Sequence, residues 1–295
     1  MSRTVYVNGQ YVPEEEAKVS IFDRGFLFAD GIYEVSSVLG GKLIDNAGHM
    51  ARLARSLAEL KMARPCSDDD LLTIQKELIA RNNLAEGVVY MQITRGAADR
   101  DFNFPKDATP SLVMFTQEKN ILNSPTAAKG LAVVTLPDIR WHRRDIKTVQ
   151  LLASSLAKQT AKDMGADDAW LVEDGFITEG TSNNAFIVTD DGQIITRQLS
   201  NDILHGITRK AVLKCAQAAG LTLIERPFTP EEAYEAREAF STSASAFVMP
   251  VVKIDDHILG NGVPGPVTQK LRELYIAEAK AAAVPSPPAR GRGTG

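Results

Sequence analysis

Cysteine is scarce in this sequence, with only Cys66 and Cys215 among 295 residues. They lie far apart and have no metal-like spacing, which argues against a disulfide framework and a thiolate zinc site. Cys215 falls in a helical pattern, as expected of a small apolar packing group, and this usage suits a reducing compartment. Histidine is scarce as well. His49, His142, His205 and His257 show no HExxH-type spacing, so no metal is expected. No stretch approaches the roughly 18 apolar residues of a membrane span, and Met1-Ser2-Arg3-Thr4 runs into a strand-like segment and not an apolar signal core. Neither sign of charge dominates: 33 basic and 37 acidic residues give a net charge of −4, with no long basic run before the tail. Nucleic acid and membrane are therefore not expected partners, and the cytoplasm is the expected location.

The length suits one large or two medium domains. Val5 to Val12 alternates around Asn8-Gly9, a tight-hairpin dipeptide. A β-rich segment from Gly31 to Leu39 is followed by Gly40-Gly41 and a further short strand. Met50, Leu53, Leu57 and Leu60 repeat at helical spacing. The cluster Ser67 to Asp70 precedes a helix over Leu71–Ala80. Strands are expected over Val88–Thr94 and Leu112–Thr116, with an irregular stretch from Gly96 to Pro110 between them.

Little apolar pattern remains around Asn123-Ser124-Pro125-Thr126, so an interdomain linker is expected there. The expected division is an N-terminal α/β domain over 1–119, a linker over 120–130, a C-terminal α/β domain over 131–282 and a disordered tail over 283–295. In the second half a strand is expected at Leu131–Leu136. A helix over about Leu151–Met164 is ended by Gly165, and strands near Ala169–Val172 and Ala185–Val188 flank the turn Glu173-Asp174-Gly175 and a loop over Thr178–Asn183. A helix from Gly206 is ended by Gly220. Thr229-Pro230-Glu231-Glu232 carries the signature of a helix start. The last helix is expected over Val267–Ala282. Gly260 to Gly265 satisfies the G-x-G-x-x-G spacing, but its proline and late position contradict a dinucleotide-binding unit. It reads as a turn.

Asp145-Ile146-Lys147-Thr148-Val149-Gln150-Leu151-Leu152 places one lysine at the mouth of an apolar segment. An amine partly out of water is better able to attack a carbonyl, which a Schiff base requires. Alone, such a lysine is more often a solvated side chain. Its surroundings decide. Five segments in register resemble the fold-type IV family of pyridoxal-phosphate enzymes, which holds D-amino-acid and branched-chain aminotransferases and aminodeoxychorismate lyase. They are Asp23-Arg24-Gly25 with Asp30 to Val35, His49 to Leu53, Asp145-Ile146-Lys147, Thr178 to Asn183, and Gly206 to Arg209.

The resemblance implies two α/β domains, pyridoxal 5'-phosphate at the domain interface, and a homodimer that completes each site. It implies that Lys147 forms the Schiff base and moves the proton, and that Glu179 stands beside the pyridine nitrogen. Arg52, Ile207, Thr208 and Ser243 match the phosphate site, where helix-start amides and a guanidinium fork suit an anion. Ala244 lacks the hydroxyl that relatives often carry. Ser182 would line the ring side of the cofactor and Leu204 its face.

Tyr33 and Arg100 are similar to parts of the α-carboxylate trap of D-amino-acid aminotransferases, the arginine reaching in from the second subunit. Phe102 stands where well-known members carry histidine, which favours an altered or more hydrophobic substrate. The implied reaction is transamination between a D-amino acid of the D-alanine or D-glutamate type and a 2-oxo acid, in a ping-pong cycle. An aminodeoxychorismate-type lyase, an (R)-amine transaminase and a branched-chain aminotransferase remain alternatives on the same fold, and a scaffold that kept the fold without turnover is the reading from another class.

Overall fold

The computed structural model describes residues 2–282. The chain forms two compact units. One contains the residues up to Asn120 together with Ile146–Gln150; the other contains Ile121–Asp145 and Leu151–Ala281.

In the first unit, β1 (Thr4–Val7) and β2 (Gln10–Pro13) form the hairpin. Asn8 and Gly9 both take positive φ, 46° and 96°, as a two-residue hairpin turn of this hand demands. The short α1 (Arg24–Phe28) follows, capped by the Asp23 side chain on the Gly25 amide. After it come β3 (Gly31–Leu39), β4 (Lys42–Leu43), α2 (Asn46–Glu59), α3 (Asp68–Arg81), β5 (Glu86–Thr94) and β6 (Ser111–Glu118). Ser67 and Asp70 close a reciprocal capping box at the start of α3. The antiparallel sheet has the order β2-β1-β6-β5-β3-β4. Leu53 and Leu57 of α2 and Leu71 and Leu78 of α3 share one core with Ile32, Met91 and Met114 of the sheet. Ile146 belongs to that core and is 3% exposed. Its burial contributes about 2 kcal/mol toward holding the Lys147 segment on this unit.

The second unit opens with α4 (Pro125–Lys129), β7 (Leu131–Pro137), α5 (Leu152–Asp163), β8 (Asp168–Glu173), β9 (Phe176–Gly180), β10 (Asn184–Val188) and β11 (Ile194–Thr196). It continues with α6 (Ile207–Ala218), β12 (Leu223–Glu225), α7 (Pro230–Tyr234), β13 (Glu238–Ser243), β14 (Phe247–Ile254), β15 (His257–Ile258) and α8 (Pro266–Ala282). The sheet runs β12-β11-β10-β13-β14-β7-β8-β9, with β15 on β14. Parallel pairing joins β7 to β8 and to β14, and β11 to β12. Trp170 and Phe228 pack edge-on at the centre of its core, and the Trp170 indole donates to Ser241 Oγ at 3.1 Å.

Two expectations differ from the structure. The stretch expected as a linker over 120–130 contains α4, because Ser124 caps the Ala127 amide and Pro125 occupies the first helical turn, and all of it after Asn120 lies in the second unit. The loop expected over Thr178–Asn183 is strand as far as Gly180, paired to β8. Strands β11 to β15 carry no sequence expectation, and β14 holds Pro250, a residue that ordinarily argues against a strand interior. Pro250 lies opposite Phe240 and just before the ladder to β7 opens at Val251, where it blocks no pairing on that side. The tail over 283–295 lies outside the described residues. No helix among the described residues is long and apolar enough to cross a membrane.

Candidate active site

Lys147 lies on a short extended segment hydrogen-bonded to the start of β3. The Tyr33 amide donates to the Lys147 carbonyl at 3.0 Å and the Val149 amide to the Gly31 carbonyl at 3.0 Å. These bonds fix the backbone while the side chain stays half-buried. Its ammonium lies 4.2 Å from the centroid of the Tyr33 ring, a cation–π contact that orients the amine without consuming its protons. Tyr33 stacks on Tyr90, which stacks on Phe115. Burial, with Tyr33 close by, pushes the Tyr90 phenol above its ordinary range; it stays a neutral donor to Gln92 at 2.7 Å.

Successive strand residues face opposite sides, and the next residue, Glu34, is buried on the side of α2. It accepts from Arg52 Nε and Nη2 at 2.7 Å each and meets His49 Nδ1 at 2.7 Å. Burial would raise this carboxyl, but Arg52 and then His49 outweigh it and hold the pKa at about 2. Arg52 thus has two donors committed to Glu34. Sequence reasoning singled out Arg52 and missed Glu34 and His49, although all three stand inside the quoted motifs.

Arg100 is exposed. Its guanidinium carbon lies 5.4 Å from the Phe28 ring centroid and 5.6 Å from that of Phe102, two rings that themselves meet edge-on. Among the described residues Arg100 makes no hydrogen bond or ion pair, and no ring contact joins it to Tyr33. The loop base is firm: Asp30 pairs with both Arg24 and Arg95, at 2.8 and 2.7 Å, and Arg24 also donates to the Asp101 carbonyl at 2.6 Å. Phe102 is 79% exposed.

In the second unit Glu179 is buried on β9. Arg140 Nη1 donates to its Oε1 at 2.7 Å; Asn184 Nδ2 and the Leu204 amide donate to Oε2 at 2.9 and 3.1 Å. Burial pushes the Glu179 carboxyl up against the pull of Arg140. Arg140 is also gripped by Asp138, and the two acids together outweigh the effect of burial and keep it charged. Asn184 is the hub of this half. It touches Glu179, donates to the Leu204 carbonyl at 3.0 Å and faces Thr242 across the β10–β13 ladder. A Cβ on Gly206 would come within 2.0 Å of its Oδ1.

Glycine is therefore required where α6 begins. Gly206 offers no side-chain cap to that helix, so the amides of Ile207 and Thr208 have no side chain of the N-cap residue in front of them. Thr208 is buried, while Ile207, Leu204 and Ser243 are half-buried. Thr242 Oγ1 is buried with no hydrogen-bond partner among the described residues. Ser182 is exposed, on a turn that Asp168 pins by accepting from Thr181 at 2.6 Å and from Asn183 at 2.8 Å. Sequence reasoning missed Arg140, Asn184 and Asp168. Asn184 directly follows the quoted Thr178 to Asn183 segment, Arg140 and Asp168 lie outside the quoted motifs, and only their partners mark them.

The profile of the amino-transferase class IV family matches residues 31–254, a span that runs from β3 to the end of β14 and holds Tyr33, Arg52, Lys147, Glu179 and Thr208. The chain belongs to the class IV aminotransferases. This family depends on pyridoxal phosphate. The D-alanine aminotransferase of Staphylococcus haemolyticus is 37% identical over 271 residues, 92% of this chain and 96% of the relative. That of Bacillus licheniformis is 37% identical over 273 residues, 91% and 94%. Among solved structures, the branched-chain aminotransferase of the archaeon Thermoproteus uzoniensis with norvaline superposes with a TM-score of 0.85 at 26% identity, covering 95% of this chain and 96% of that one. The Escherichia coli branched-chain enzyme gives 0.87 at 23%, covering 95% of each chain, a likeness of fold alone.

The residues of this class IV aminotransferase fit the cofactor's chemistry. They supply an oriented amine, a buried carboxylate held by three N–H donors, a helix start with no side-chain cap, and an unpartnered buried hydroxyl on the strand next to Ser243.

Proposed function

We propose that the protein transfers an amino group between a D-amino acid of the D-alanine or D-glutamate type and a 2-oxo acid in a ping-pong cycle. The observation that carries this reading is the 37% identity to D-alanine aminotransferases over nearly the whole of both chains. Bound pyridoxal phosphate supplies an electron sink that lets the α-proton of the amino acid leave. Lys147 would hold the cofactor's carbonyl through its amine and would carry the α-proton, a task suited to a side chain whose backbone is fixed by its bonds to β3. Glu179 keeps the pyridine nitrogen protonated. Arg140 and Asn184 hold that carboxylate in place.

The Ile207 and Thr208 amides at the positive end of α6 and the Ser243 hydroxyl would hold the phosphate, and Arg52 is the guanidinium that the family resemblance assigns to it. Glu34 fixes the plane of the Arg52 fork. Leu204 and Ser182 pack along the ring. On the substrate side, Tyr33 and an Arg100 reaching in from the second subunit would take the α-carboxylate. Phe102 offers no hydrogen-bond donor beside Arg100, so within that type the less polar D-alanine is favoured over D-glutamate. The protein acts as a cytoplasmic homodimer.

The deciding experiment adds D-alanine or L-alanine to the protein loaded with cofactor, without acceptor, while the visible spectrum and pyruvate are followed. Bleaching by the D-isomer alone, with about one pyruvate per site, is the expected result. Continuous pyruvate release from 4-amino-4-deoxychorismate without an acceptor would point to the lyase. Turnover of L-leucine would point to the branched-chain activity named for the solved structures, and turnover of an amine lacking a carboxylate to the amine transaminase.

A further inference from the structure

Phe247 adopts a backbone conformation that suits glycine. Its φ is +65°, and it closes the three-residue turn 244–246 between β13 and β14, opposite Ser243 in the ladder. Short hairpin loops usually place glycine there, because a Cβ is crowded at positive φ. Here the residue is a phenylalanine with no exposed surface. Two residues of α8, one turn apart, hold it. Tyr275 packs edge-on against the ring, with centroids 4.8 Å apart. Arg272 Nη1 donates to the carbonyls on either side, Ala246 at 2.9 Å and Val248 at 2.8 Å, and Nη2 donates to the carbonyls of Ile121 and Leu122. Burial lowers the Arg272 pKa, since every one of these partners is a neutral carbonyl. A half-buried cation with no acid beside it among the described residues costs free energy that its four carbonyl partners must offset.

We infer that Arg272, together with Tyr275, is a positioning residue for the turn after Ser243, so that the last helix of the chain sets the geometry of the cofactor's phosphate subsite. The inference rests on the reading that Ser243 meets the phosphate. Thr242, one residue before Ser243 on β13, has a buried Oγ1 with no hydrogen-bond partner among the described residues.

The test titrates the apoprotein with pyridoxal phosphate and, separately, with pyridoxal, which carries the same aldehyde and no phosphate. Arg272→Met is expected to raise the pyridoxal-phosphate dissociation constant about tenfold while pyridoxal changes by less than about twofold. Arg272→Lys, which keeps a donor, should regain part of the loss and serves if the methionine variant does not fold. Unchanged affinity for pyridoxal phosphate, or equal losses for both ligands, would overturn the inference. Ser243→Ala separates the two levels. If it leaves the preference for the phosphorylated ligand intact, the assignment of Ser243 fails and the inference falls with it. If Ser243→Ala erodes that preference and Arg272→Met does not, the role of α8 alone is wrong.

Discussion

Glu34 and Arg52 meet through two parallel hydrogen bonds of 2.7 Å, with the glutamate 1% and the arginine 7% exposed. The folded pKa of Glu34, about 2, lies below its ordinary value of 4.5. The folded protein therefore binds this proton less tightly than the unfolded chain. The stabilisation is complete above about pH 4.5, is lost as the pH falls through about 2, and amounts to something on the order of 3 kcal/mol. Glu34→Gln should flatten the acid-side decline in stability and lower stability at pH 7 by about 3–5 kcal/mol, because the Arg52 charge stays buried. Urea unfolding at pH 3 and pH 7 measures both. Equal pH slopes for the two proteins would remove Glu34 from the acid response.

Lys147→Ala should abolish both the visible cofactor band and turnover while changing the melting temperature little. The side chain is half-buried, and the segment is held by Ile146 and by backbone bonds to β3. Retained transamination in this variant would sink the assignment.

Asn184→Ala removes the link between Glu179 and the Leu204 carbonyl. Cofactor affinity is expected to fall about tenfold, with a loss of about 1–3 kcal/mol in stability from the unsatisfied neighbours. Gly206→Ala should reproduce the affinity loss by pushing Asn184 away. Absorbance titration of the apoprotein reads both variants, and an unaltered dissociation constant in Asn184→Ala would argue against its role as a hub.

Arg100→Ala should raise the KM for D-amino acids at least about tenfold, as loss of a carboxylate contact does, and leave cofactor binding unchanged. Arg100 is exposed, and among the described residues its ring contacts are to Phe28 and Phe102, so no loss of stability is expected. Steady-state kinetics decides; a KM equal to that of the parent would free Arg100 from substrate binding.

Gln75 is 1% exposed on α3, and neither its amide oxygen nor its nitrogen has a hydrogen-bond partner among the described residues. Gln75→Leu, similar in size, should stabilise the protein by about 1–3 kcal/mol by removing the buried polar group. Thermal unfolding measures it, and a lower midpoint would mean that the amide is satisfied in solution.

Much of the chain was legible because its signals are local. Asn8-Gly9, the Ser67–Asp70 box, the Thr229–Glu232 box and the left-handed Gly165 and Gly220 work within a few residues, and each closes the element it marks. Pattern resemblance singled out Lys147, Glu179 and Arg52 as candidates from residues close to them along the chain. Reading failed where the deciding partner is distant. The parallel pairing of β7 with β14 joins residues about 120 positions apart, and no local periodicity encodes it.

By itself, then, the sequence determined the helix starts and ends and the family likeness, and it singled out Lys147 as the candidate amine, since those depend on neighbours along the chain. Only the tertiary structure decided that Ile146–Gln150 belong to the first unit, that Arg140 and Asn184 hold Glu179, and that Arg272 grips the turn at Phe247. Buried charges and amides must find partners wherever folding brings them, and those partners are chosen in space.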